Sequence, residues 1–217
     1  TRIEQAITLL VLNAVKNIAL SFVVIDALGS GGRKRFDLER FVKRAVTGAV
    51  AAELISLRLG RQCDESFAAG LLQDVGILVF ALVDFDTFSC VLDEQEATGE
   101  PLCSIEKRWF GTDHQEIGAE LLRLWGLPEP VHVPIRFHHC PTSAPPQHGL
   151  LAEVLSLADA LATLYHGNQG AQTFGQLRST LARHFADGQE IDRLIDEVAS
   201  RAEELLDVYD ISDREIR

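Results

Sequence analysis

Gly70-Leu71-Leu72-Gln73-Asp74-Val75-Gly76-Ile77-Leu78 sets an uncharged amide and a carboxylate side by side between two apolar runs. A helix capped by Asp64 is expected to run through Phe67 and Leu71 toward this pair, and Gly76 marks a bend before the apolar run Ile77 to Val83. Asp74, just ahead of Val75-Gly76, is expected to cap the following helix and to bond its free amides. The amide oxygen of Gln73 is a weak ligand for any metal softer than calcium or magnesium, whereas an imidazole at that position would be a strong one.

On either side of this stretch the signals are helical. Ile3, Ile7, Leu10 and Val11 open an i, i+4, i+7, i+8 stripe that continues through Val15, Ile18, Phe22 and Val23 to about Leu28, where Gly29-Ser30-Gly31-Gly32 ends it. Asp37 is a natural N-cap for a long helix to Leu59 with Gly60 just past its end, burying Phe41, Ala45, Val46, Ala49, Ala52 and Leu59. Phe85 to Ala97 reads as a helix stopped by Gly99, and Pro101 suits the first position of the next. Thr112 and Gln115 have capping-box spacing for a helix from Asp113 to Trp125, closed by Gly126, and Pro128 opens another that reaches His138-His139. A proline-rich loop from Cys140 to Gly149 precedes a helix from Leu150 to Tyr165. After a Gly/Gln-rich connection from Gly167 to Gln172, the stripe Ile191, Leu194, Ile195, Val198, Ala202, Leu205 and Leu206 marks a last helix over 190–208. No segment alternates like a strand, so the fold is expected to be all-α.

Composition narrows the function. The chain has 217 residues, 47% hydrophobic, enough for a sizeable core, and a formal charge of -12 that opposes broad contact with nucleic acid or an anionic membrane surface. Its apolar runs fall short of a membrane span, and no signal peptide precedes them. Cys63, Cys90, Cys103 and Cys140 are scattered without a Cys-x-x-Cys pair, which points to reduced thiols in a cytoplasmic protein. The chain starts at Thr1 and contains no methionine, which points to a piece of a longer protein or to modified methionines missing from the sequence.

Several segments, taken in order, resemble one family, the HDOD output domain, a non-catalytic relative of the HD metal-dependent phosphohydrolases found in bacterial signalling proteins. The resemblance lies in Ile3-Glu4-Gln5-Ala6-Ile7, Phe36-Asp37-Leu38-Glu39-Arg40-Phe41, Ala68 to Gly76, Phe110-Gly111-Thr112-Asp113-His114, Trp125-Gly126-Leu127-Pro128, Ile135-Arg136-Phe137-His138-His139 and Leu157-Ala158-Asp159-Ala160-Leu161. It covers about Ile3 to Leu164 and implies a multi-helix, HD-like orthogonal bundle over 1–166, with 167–217 as a helical extension packed on it or on a partner. Helices that the family pattern carries ahead of Ile3 are absent, so a partner domain or a second copy of the chain is expected to cover the apolar face they leave.

In the catalytic relatives an early His, a His-Asp pair, later histidines and a final Asp surround one or two metals. Here Arg44 or Ala45 stands in place of the early His and Gln73 replaces the next one. What the resemblance leaves is a remnant pocket of Arg44, Gln73, Asp74, His114, His138, His139 and Asp159, with no metal, no cofactor and no catalytic residue expected. Each survivor also has a plain structural reading. His114 can make a local polar contact at the start of its helix, His138-His139 can favour the negative end of a helix dipole, and Asp159, on an apolar helix, needs a partner such as Arg44 or a histidine. A basic run, Arg33-Lys34-Arg35 followed by Arg40, Lys43 and Arg44, can receive an anion or an acidic partner or can be solvated charge. The resemblance implies a regulatory module that binds protein partners or fused signalling domains. A residual phosphohydrolase and a nucleotide sensor that does not hydrolyse its ligand are the rivals.

Overall fold

The structure, a computed structural model, describes residues 36–60, 65–166, 171–185 and 187–208. The expected first helix over Ile3 to Leu28, the Gly29–Gly32 loop, Asp64, Cys63, and the basic residues Arg33, Lys34 and Arg35 lie outside them. Among the described residues there is no strand, and the chain is a bundle of helices.

The first described helix, α1 (Leu38–Arg58), begins where Asp37 accepts a hydrogen bond from the Arg40 amide and ends at Leu59, followed by Gly60 with φ of 66°. Phe41, Ala45, Val46, Ala49 and Ala52 are buried as the stripe requires, and Leu59 is half-buried. Small residues decide what packs on α1. A Cβ on Gly70 would lie 2.7 Å from the Gly48 carbonyl oxygen, so α2 (Ser66–Leu72) crosses α1 almost backbone to backbone. α3 (Val75–Val83) follows after a turn at Gln73-Asp74. The stretch Ser66–Val83 is long and apolar enough to cross a membrane by composition, yet 67% of it is buried inside the fold and it is broken at this turn. It is a core element.

The chain bends at Gln73-Asp74 and not at Gly76, which lies inside α3. Gly76 is required for another reason: a Cβ there would stand 2.0 Å from the carbonyl oxygen of His114. α4 (Phe85–Thr98) ends at Gly99 with φ of 70°, and α5 (Leu102–Phe110) starts with Pro101 as its N-cap, one position earlier than expected. α6 (His114–Leu124) is capped by Asp113, whose carboxylate accepts from the Glu116 amide. Thr112, the expected cap, instead donates its hydroxyl to the Glu116 carboxylate. α7 (Glu129–Arg136) stops short of His138-His139, which sit in the turn beyond it. The loop after Cys140 contains a short 3-10 turn, Pro141–Ser143.

α8 (Gly149–His166) packs along α1. A further helix, α9 (Ala171–Leu181), begins at the end of the connection expected over 167–172 and continues beyond it, where the sequence marks no helix. α10 (Gly188–Val208) lies across α1, with Ile191, Leu194, Val198, Ala202 and Leu206 buried and the Tyr165 hydroxyl donating to the Ile195 carbonyl at 2.6 Å. Leu177, Leu181, Phe185, Leu194 and Val198 join the same core as α1, α3 and α6. The described part of the extension therefore packs on its own bundle.

Candidate functional site

Three helix junctions converge behind the Gln73-Asp74 turn. Close packing at Gly48 and Gly70 sets the turn against α1, and the contact of Gly76 with the His114 backbone sets it against the start of α6. Both side chains of the turn point inward: Gln73 is 1% exposed and Asp74 is 6% exposed. The Asp74 carboxylate makes no cap hydrogen bond to α3, contrary to the sequence expectation. It is drawn instead toward a guanidinium on one side and two imidazoles on the other.

On the first side Arg44 bridges α1 to α8. Its Nη2 donates to Asp159 Oδ1 at 2.8 Å and lies 3.7 Å from Asp74 Oδ2, while Nη1 donates to the Thr163 hydroxyl at 3.2 Å. The carboxylate that needed a partner on the apolar face of α8 thus has one. Gln73 lies close by, against Gly48, and its Oε1 has no hydrogen-bond partner.

On the second side stand the histidines. His114 Nδ1 and its backbone amide both meet Glu106 Oε2, at 2.6 and 2.9 Å, so the ring is fixed with Nε2 pointing into the pocket. That Nε2 lies 3.1 Å from His139 Nε2 and 3.8 Å from Asp74 Oδ1. His138 Nδ1 donates to the Ile135 carbonyl at 2.7 Å. Its Nε2 is buried without a hydrogen-bond partner and faces Asp74 Oδ1 at 3.7 Å. Gln115 steadies the turn by accepting from the His139 amide at 3.0 Å. One ligand atom from each of His114, His138 and His139 lies within 4.8 Å of the others, which is a spacing that can hold a metal ion.

The two sides differ in charge. Arg44 serves two carboxylates, which titrate as a pair. Burial would raise Asp74, but Arg44 first and then the histidines outweigh it and hold its carboxyl below the ordinary range. Burial and the neighbouring Asp74 charge push Asp159 up to about 6 in spite of Arg44. The pair gives up one proton early and the other late. Among the histidines, burial would lower His114, but the hydrogen bond and charge of Glu106, helped by Asp74, raise it above its ordinary value. Burial holds His138 down to about 4, against the pull of Asp74. His139 is exposed at its outer edge and is also held low, by burial of its inner face and then by His138 and His114.

The structure therefore brings Arg44, Gln73, Asp74, His114, His138, His139 and Asp159 to one place. Arg40 and Lys43 stand outside it on α1, Lys43 paired with Glu39 at 2.7 Å one turn away. Sequence reasoning missed Glu106, the fully buried partner of His114, along with Gln115 and Thr163. A carboxylate beside Ile105 on the buried face of α5 was the only signal of Glu106.

The family model for the HDOD domain matches residues 1–141. Among solved structures, an HDOD domain protein of unknown function from Geobacter sulfurreducens is 25% identical with a TM-score of 0.64, over 80% of this chain and 65% of that one. The MmoQ response regulator of Methylococcus capsulatus is 26% identical with a TM-score of 0.58, over 74% of this chain and 62% of that one. A Shewanella amazonensis protein provisionally named a phosphohydrolase is 24% identical with a TM-score of 0.61, over 79% and 62%, and shows the shared fold alone. The chain spans less than two thirds of each of these structures.

Proposed function

Because this chain belongs to the HDOD family, we propose that it is a regulatory module of a bacterial signalling pathway, working in the cytoplasm through contacts with other proteins and not by turnover of a substrate. One observation carries the reading. The Arg44 guanidinium stands between Asp74 and Asp159, where a hydrolytic centre would need a metal cation with an open position for water. Its fixed positive charge pairs with both carboxylates there, donating to Asp159 at 2.8 Å and lying 3.7 Å from Asp74 Oδ2. The lock ties α1 to α8 and, through Asp74, to the α2–α3 turn. An input that changes its occupancy would shift the packing of these helices and so the surface offered to a partner.

The purified chain should turn over neither a generic phosphodiester nor cyclic dinucleotides with magnesium, manganese or zinc supplied. Affinity capture from the native organism should yield protein partners. Turnover that disappears in Asp74→Asn would overturn the proposal in favour of a residual phosphohydrolase. That second reading draws on the three histidines beside Asp74, since a metal bound there would act as a Lewis acid on a phosphoester. A nucleotide sensor anchored on Arg44 has less support, because that guanidinium is already engaged by Asp159 and Thr163. Stabilisation by any nucleotide in a thermal-shift screen would revive it.

A further inference from the structure

We infer that the histidine side of the pocket is a closed binding site for one zinc-class divalent cation, held by His114, His138 and His139 through Nε2 and by Asp74 through Oδ1. The sequence expects no metal here; the hydrogen-bond partners of the rings argue for one. The Nδ1 of His138 is committed to the Ile135 carbonyl and that of His114 to the Glu106 carboxylate. Both rings therefore turn Nε2 inward, toward each other's neighbourhood and toward an anionic oxygen, and that of His138 has no partner there. Metal-bound imidazoles are oriented in this way, with the distal N–H given to a carboxylate or a backbone carbonyl.

Without a cation the pocket is rich in acceptors and poor in donors. A single proton can serve the His114 and His139 nitrogens at 3.1 Å, but nothing serves His138 Nε2, which is buried and has no partner. The spacings suit an ion. Bonds of about 2.0–2.1 Å at tetrahedral angles place donors roughly 3.3 Å apart; three of the separations are 3.1, 3.7 and 3.8 Å, and the histidine donor atoms all lie within 4.8 Å of one another. Three imidazoles and one carboxylate form a borderline donor set that favours zinc, cobalt or nickel over calcium or magnesium.

With Asp74, which stands 3.7 and 3.8 Å from two of the nitrogens and outside the cluster of the three rings, drawn in as fourth ligand, no position is left for water, the mark of a structural or regulatory ion. The ion would clasp the start of α6 and the turn after α7 onto the α2–α3 turn, next to the Arg44 lock. The inference stands on the histidine geometry and does not depend on which partners the module binds.

The full chain, stripped with chelator, should take up one equivalent of Co2+ with the visible d–d bands of a four-coordinate nitrogen and oxygen site, and Zn2+ should displace it. His139→Ala, at the exposed rim, should weaken uptake at least tenfold, and Glu106→Gln should weaken it about ten- to a hundredfold by freeing the His114 ring. Circular dichroism without metal should show both variants folded. His138→Gln, with the imidazole donor gone, should abolish uptake. No cobalt bound by the folded chain in excess metal would overturn the inference. So would a thiolate charge-transfer band, or uptake that His139→Ala and His138→Gln leave unchanged. Phosphodiester turnover by the loaded protein would overturn the regulatory reading above and leave the metal site standing.

Discussion

The two sides of the pocket meet at one carboxylate and have settled their charges in different ways. Asp74 Oδ2 faces Arg44 and Asp74 Oδ1 faces His114 and His138. On the Arg44 side a permanent cation is covalently part of the chain, and the carboxylates around it are paired. On the histidine side the nitrogens converge, but their positive charge must come from protons or from an ion. A site can thus lose its need for a metal on one flank by supplying a guanidinium while the other flank keeps the donor arrangement of a ligand set.

The strongest way to break the comparison is to separate the two sides physically. Gly76→Ala puts a Cβ 2.0 Å from the His114 carbonyl oxygen, a backbone atom that can move only if α3 and α6 part. The expected loss is about 3 kcal/mol or more, at or beyond the upper end for overpacking, and is read from urea midpoints. A loss below about 1 kcal/mol would mean that the two helices are not held as closely as the structure has them.

Removing the built-in cation comes next. Arg44→Ala leaves Asp74 and Asp159 facing each other in a largely buried site. Breaking a buried pair costs about 3–5 kcal/mol, and with Arg44 24% exposed about 2–3 kcal/mol is expected. Adding Asp159→Ala should recover part of it, because the stranded charge goes with its partner. A double variant no better than the single would deny that charge is the cause.

On the histidine side, Glu106→Gln should cost about 1–2 kcal/mol in the metal-free protein, the range for weakening a buried charge-assisted hydrogen bond. Its larger effect belongs to metal uptake. The contrast with Arg44 is itself the test: the Arg44 lock should matter to the free protein, and the Glu106–His114 pair should matter more to the loaded one.

Why one side was more legible in sequence than the other follows from where the partners sit. Asp159 is a charge on a largely apolar helix, so its need for a partner such as Arg44 or a histidine could be read from a few residues. Asp37, Gly99 and Gly126 announce helix ends by local chemistry, and the structure places them there. The errors came where a tertiary contact overrides a local rule. Asp74 has the position of a cap, but its carboxylate has stronger attractions across the pocket. Gly76 looks like a bend because the demand on it comes from α6, far along the chain. Thr112 lost the cap to its neighbour Asp113, which can accept from the same first turn with a full charge. Helix α9, with Gln, Thr, Gly and Ser among its residues, shows no stripe long enough to be recognised. Glu106 was hidden because nothing in its own segment indicates that a histidine eight positions later needs a carboxylate.

The finest separation of the two sides is in the sign of their pH dependence, measured without metal. For His138 the folded value of about 4 lies below the ordinary 6.5. Between those values the unfolded chain binds a proton that the folded chain does not, so this group makes stability rise with pH. Asp159 runs the other way. Its folded value of about 6 lies above the ordinary 3.8, so the folded chain keeps the extra proton, and stability from this group is full below 3.8 and is lost as pH rises through about 6. Each proton difference bounds the slope at about 1.4 kcal/mol per pH unit. His138→Gln should therefore flatten the fall in stability on acidification from about 6.5 to 4, and Asp159→Asn should steepen it, as read from urea midpoints across that range. Equal slopes in the two variants would mean that the sides titrate as one unit through Asp74, and the division drawn between them would fail.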